Sequence, residues 1–141
     1  MEERTLAKTP RSQSMDENGI GKEFVDAAVA VHRELGPGFL ESVYEVVLVD
    51  EIRKRGLNAE RQEPITIECR GIRFDEGFRA DILIERKVIL ELKSVERVTN
   101  VHKKQLLTYL KLTGLRLGYL LNFGESIMKN GITRTVDGLP D

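Results

Sequence analysis

Cysteine is nearly absent from the chain. Cys69 stands alone, which excludes an internal disulfide, a cysteine-ligated iron–sulfur cluster and a cysteine-rich zinc site. No apolar run approaches the roughly 18 residues that a spanning helix needs, so no membrane is expected as partner. Nor is there an excess of charge: 22 basic and 23 acidic residues leave a formal net charge of −1. A uniformly basic coat for nucleic acid is thereby excluded, while a local basic groove is not. Met1 to Gly19 is polar and lacks the apolar stretch of a secretory signal. It reads as a disordered leader, and a cytoplasmic location is the resulting expectation. Internal repeats and low-complexity tracts are also missing.

What is present suits one globular domain with a real core: 141 residues, 40% apolar and 32% charged. Positions 20–136 are expected to form it, with 137–141 as a tail. The last third is mildly basic. Lys103, Lys104, Lys111, Arg116, Lys129 and Arg134 face only three acidic residues there, with His102 beside them. Taken alone, that pattern is a solvated helix face.

Apolar residues at helical spacing predict a helix over Ile20–Leu35, broken by Gly36-Pro37-Gly38, and a second from Leu40 to Arg55, capped by Gly56. The period then changes. Asn58–Pro64 reads as a strand ending at its proline, and Ile65–Cys69 alternates up to a turn at Gly71. Phe78–Ile84 and Val88–Lys93 are apolar, β-branched strands. A third helix covers Val101–Thr113 and ends at Gly114, followed by a strand over Leu115–Asn122. Asn130-Gly131 suggests a tight turn between short strands. This order predicts a mixed α/β layer, an antiparallel meander followed by a crossover helix and one more strand.

Chemistry concentrates in the two central strands. Glu91 and Lys93 share one face of their strand by alternation, and Val88, Leu90 and Leu92 share the other. The loop length decides where Asp81 falls. A two-residue loop would bury it opposite Leu90. The three-residue loop Glu85-Arg86-Lys87 sets Ile84 against Val88, Ile82 against Leu90 and Ala80 against Leu92. Asp81 then lies opposite Glu91. The apolar pattern selects this second register, because a slip of one residue turns every side chain over.

Two carboxylates directly opposite each other repel. A divalent cation turns that liability into a site, since hard oxygen ligands suit Mg²⁺ or Mn²⁺. Lys93 would stand beside it, able to position an attacking water. The plainer alternative is a surface pair neutralised by Arg79 and Lys93. Glu41, in the first turn of the second helix, is favoured there by the helix dipole alone, and Tyr44 follows on the same face. In the third helix His102, Gln105 and Tyr109 can look out from one side; solvent, or for Tyr109 the core, is the simpler explanation of each.

Together these residues resemble a known family. Asp81, then Glu91-x-Lys93 on adjacent strands, preceded by a helical Glu41 and followed by a helix, is similar to the PD-(D/E)XK nuclease superfamily. Gly38-x-x-Glu41-x-x-Tyr44, with Gln105-x-x-x-Tyr109 and Leu121-Asn122-Phe123-Gly124, resembles its GxxExxY family over roughly 20–136. The resemblance implies a restriction-endonuclease-like core of α-β-β-β-α-β order with an extra N-terminal helix. It implies a Mg²⁺- or Mn²⁺-dependent nuclease acting on nucleic acid, with DNA the expected substrate. Metal ligation would fall to Asp81, Glu91, Glu41 and the Leu92 carbonyl. Lys93 would be the catalytic lysine, and Gln105 and Tyr109 would lie beside the metal and the DNA. Nucleic acid would be held by His102, Lys103, Lys104, Lys111 and Tyr44. Position 80 is Ala where the superfamily nominally has Pro. The rival expectation is a catalytically silent nuclease-fold module that binds nucleic acid or regulates. The oligomeric state is left open, a homodimer included.

Overall fold

A computed structural model describes residues 15–140. Most of the expected leader therefore lies outside the described residues, as does Asp141. The first helix, α1 (Glu17–Leu35), starts three residues before the apolar stripe does. Asp16 is the reason: its carboxylate accepts the Gly19 N–H at 2.8 Å and caps the helix. Gly36, at φ 69°, ends it. A second helix, α2 (Glu41–Lys54), is followed by β1 (Ala59–Cys69), β2 (Ile72–Ile84) and β3 (Val88–Lys93). Helix α3 (Asn100–Thr113), β4 (Leu117–Asn122), a 3₁₀ turn over Met128–Gly131 and β5 (Ile132–Val136) complete the chain.

The five strands form one sheet in sequence order. All pairs are antiparallel except β3 with β4, which α3 joins by a crossover. This is a mixed α+β sheet of the restriction-endonuclease-like kind.

Several expectations are corrected. The two segments before Gly71 are one strand, because Pro64 sits on the sheet's edge, where no ladder N–H is needed. β2 begins at Ile72, six residues before the apolar run. Arg70 (φ 56°) and Gly71 (φ 77°) make a two-residue hairpin turn with both residues left-handed, and exposed strands extend from it. Asn130-Gly131 is no hairpin turn; it closes the 3₁₀ turn that leads into β5.

Helices cover both faces of the sheet. On one side α1 and α2 pack Ile20, Phe24, Ala28, Leu48 and Ile52 against Ile82, Ile84, Val88, Leu90, Leu92, Tyr119 and Leu121. On the other, Leu106 and Leu110 of α3 cover Leu83, Ile89 and Leu120. Ala80, placed by alternation with the first group, belongs to the second. Between β2 and β3 the pairs are Ile82 with Leu90, Leu83 with Ile89 and Ile84 with Val88, the register of the three-residue loop. Beyond Ile82 the regular ladder stops, and the expected Ala80–Leu92 pair is not made. The candidate site occupies that opening.

Candidate active site

Where the ladder stops, side chains take over from backbone. The Asp81 N–H donates to Glu91 Oε2 at 3.2 Å, and the Leu92 N–H donates to Asp81 Oδ2 at 2.8 Å. Asp81 and Glu91 are thus laced across the gap, each carboxylate held by the opposing strand's backbone. The N–H and C=O of one strand residue leave the same edge of the strand, so the Leu92 carbonyl faces this gap as well.

The electrostatics follow from the crowding. Burial, and then the charge of Asp81, push the Glu91 carboxyl up to about 8. The Asp81 N–H and the Lys93 ammonium oppose that rise, and Glu45 adds to it. At neutral pH the pair therefore holds a proton or calls for a cation. Two carboxylates and a main-chain carbonyl are hard oxygen donors, so the residues present fit a divalent metal such as Mg²⁺.

Glu41 lies apart from this pair. Its Oε2 accepts the Ser94 N–H at 3.2 Å, just past the end of β3, while Ser94 Oγ donates to the Phe39 carbonyl at 3.3 Å. Among the described residues no three His, Cys, Asp or Glu side chains converge as a metal cluster. Two of the three expected carboxylates are brought together and the third is turned onto the neighbouring loop.

From α3, Tyr109 reaches the same region. Its ring stacks on Phe78 with centroids 3.7 Å apart and planes 5° apart. Burial raises its hydroxyl pKa, with Glu91 and Asp81 adding to the rise. Gln105, Lys103, Lys104 and Lys111 are exposed on the same helix. His102 is half-buried and completes a capping box: its Nδ1 accepts the Thr99 N–H at 3.2 Å, and its own N–H donates to Thr99 Oγ1.

Tyr44 is a correction. It is fully buried, so no nucleic acid can reach it. Its ring stacks on Phe123 at 4.2 Å, its hydroxyl donates to the Gly36 carbonyl at 2.6 Å, and the Phe39 N–H donates to that hydroxyl at 3.1 Å. It pins the Gly36-Pro37-Gly38 turn and so fixes where α2 presents Glu41.

Asn122, buried at the end of β4, does similar work for the loop after Lys93. Its side chain accepts the Val95 N–H at 3.0 Å and donates to the Val95 carbonyl at 2.9 Å. Gly124 leaves room for this contact, since a Cβ there would stand 2.4 Å from the Val95 oxygen.

Reasoning from the sequence missed Glu45 and Gln62. Glu45 is buried, and Arg61 Nε donates to it at 2.9 Å. Gln62 Nε2 donates to both Glu45 oxygens and lies 3.4 Å from Asp81 Oδ1. One signal was available: Glu41 and Glu45 are four apart in a helix, a like-charge pair that destabilises unless something answers it.

A family model described as the PD-(D/E)XK nuclease superfamily matches residues 18–135. The chain belongs to this superfamily. Neither the curated proteins nor the solved structures contain a match. PD-(D/E)XK nucleases hydrolyse phosphodiester bonds with a divalent metal, usually Mg²⁺. That requirement agrees with the donor chemistry of the Asp81–Glu91 gap. No helix among the described residues is long and apolar enough to cross a membrane.

Proposed function

We propose that the chain is a metal-dependent nuclease that hydrolyses phosphodiester bonds of nucleic acid, DNA foremost, in the cytoplasm. The observation that carries this reading is the Asp81–Glu91 pair, laced across an opened ladder with Lys93 on the same strand face. Asp81, Glu91 and the Leu92 carbonyl would hold Mg²⁺ or Mn²⁺. When bound, the cation would polarise the phosphate and lower the pKa of the attacking water. Lys93 orients that water and offsets charge developing on the phosphorus oxygens. Its ammonium makes no ion pair among the described residues. Tyr109 and Gln105 flank the phosphate from α3, and Glu41 steadies the loop at Ser94. His102, Lys103, Lys104 and Lys111 contact backbone phosphates, so binding is salt-sensitive and largely independent of sequence. Gly38, Glu41 and Tyr44 support the finer placement in the GxxExxY family.

The test is cleavage of single-stranded, duplex and branched DNA with Mg²⁺ or Mn²⁺. Lys93→Ala is expected to lower the rate by about 10²–10³ with affinity little changed. Lys103→Ala with Lys104→Ala is expected to weaken binding and flatten its salt dependence, leaving the rate at saturation nearly intact. Wild-type protein that binds DNA and metal but cuts no substrate form would favour the silent binding module.

A further inference from the structure

The backbone leaves the extended region at Gln62, where φ is 50°. The β1–β2 ladder pairs Arg61 with Ile82 and Glu63 with Ala80, and skips the Gln62–Asp81 position between them. That pair meets through side chains instead. Gln62 Nε2 lies 3.4 Å from Asp81 Oδ1, and 3.2 and 3.1 Å from the two Glu45 oxygens. Carboxylates only accept, so the amide must present its NH₂ group to both, one hydrogen to each. Glu45 is held in turn by Arg61 at 2.9 Å, and the second Asp81 oxygen is held by the Leu92 N–H at 2.8 Å.

We infer that Gln62 is a positioning residue: backed by Glu45, it sets the orientation of the Asp81 carboxylate toward Glu91, and with it the affinity for a divalent cation. The inference rests on the metal-dependent reading above and deepens it. With Gln62 in place both Asp81 oxygens are tethered; without it the carboxylate turns freely about the Leu92 contact. A neutral donor also suits the task, since a lysine there would cancel the negative charge that draws the cation. Among residues with side chains, Asn and Asp tolerate this left-handed backbone best. Gln is therefore not the choice of the backbone; its extra methylene supplies the reach to both carboxylates.

The experiment is calorimetric titration of Mn²⁺ into metal-free full-length protein, with melting in EDTA alongside. Gln62→Asn keeps the amide and relaxes the backbone but falls short of both carboxylates. It is expected to melt no lower than wild type in EDTA and to bind Mn²⁺ ~10–100-fold more weakly, as loss of a partner of a metal-holding group does. Glu45→Gln retains an acceptor for Gln62 and should lose less. The double variant should be no weaker than Gln62→Asn alone, because Glu45 acts through Gln62. Should Gln62→Asn misfold, Gln62→Gly, unstrained at this φ, carries the same prediction. A folded variant with Mn²⁺ affinity within about twofold of wild type would overturn the inference, twofold being small against the usual loss. Wild-type protein without any Mn²⁺ isotherm would instead overturn the metal-dependent reading, and the inference with it.

Discussion

Along β3, Val88, Leu90 and Leu92 face α1 and α2, whereas Ile89, Glu91 and Lys93 face α3. The first face is sealed into the larger apolar cluster. The second starts apolar at Ile89 and turns polar where the β2–β3 ladder opens. Neighbouring residues about 3.3 Å apart along the strand therefore belong to different problems, one of packing and one of charge. The pleat keeps them separate, so each can be altered with little effect on the other.

The sharpest way to break that separation is Leu90→Ala. Leu90 is fully buried between β3 and the two helices, and the cavity left behind should lower stability by ~2–5 kcal/mol. Urea denaturation reads this directly. Lys93→Ala on the opposite face should leave the same curve almost unmoved. A large loss from Lys93→Ala would mean that the polar face also holds the fold together.

A smaller effect comes from pH. The Glu91 carboxyl has its pKa raised to about 8 in the folded chain, against an ordinary value of 4.5 for a solvated glutamate. The folded state thus binds the proton more tightly than the unfolded state. Glu91's contribution is complete below about pH 4.5 and is lost as pH rises toward 8. In EDTA, wild type should lose ~2 kcal/mol relative to Glu91→Gln over that window, less than the full shift implies because the carboxylate keeps contact with solvent. Parallel pH profiles for the two proteins would dispose of the crowded carboxylate pair.

The smallest effect separates support from contact. Tyr44→Phe keeps the stack on Phe123 and removes the hydroxyl bonded to Gly36 and Phe39. Stability should fall by ~1 kcal/mol, and the affinity for DNA should not change at constant salt. Weaker DNA binding by the folded variant would return Tyr44 to the nucleic-acid surface.

The register that sets Asp81 against Glu91 was legible because alternating Ile, Leu and Val leave one loop length that buries them all. The helices were legible from apolar spacing, with boundaries off by a few residues where caps decide them, as at Asp16. The Glu45–Gln62 bridge was not legible. It joins residues 17 apart through a left-handed kink in mid-strand, and neither feature leaves a periodic trace. Tyr44 misled because its spacing from Glu41 says that the two share a helix face, not that the turn before the helix folds over the tyrosine.

The kink at Gln62 also bears on how copies of the chain behave toward one another. β1 is an outer strand of the sheet, and such strands offer unpaired N–H and C=O groups to any strand that drifts by. Here the row is interrupted. Gln62 turns out of line, Pro64 contributes no N–H, and Arg61, Glu63 and Glu68 place charge along the margin. The opposite margin, β5, is only five residues long and carries Arg134 at its middle. Neither border presents a long, straight, uncharged run for a stacked fibril to grow from, so the bend that brings an amide to Asp81 also guards the chain against aggregation.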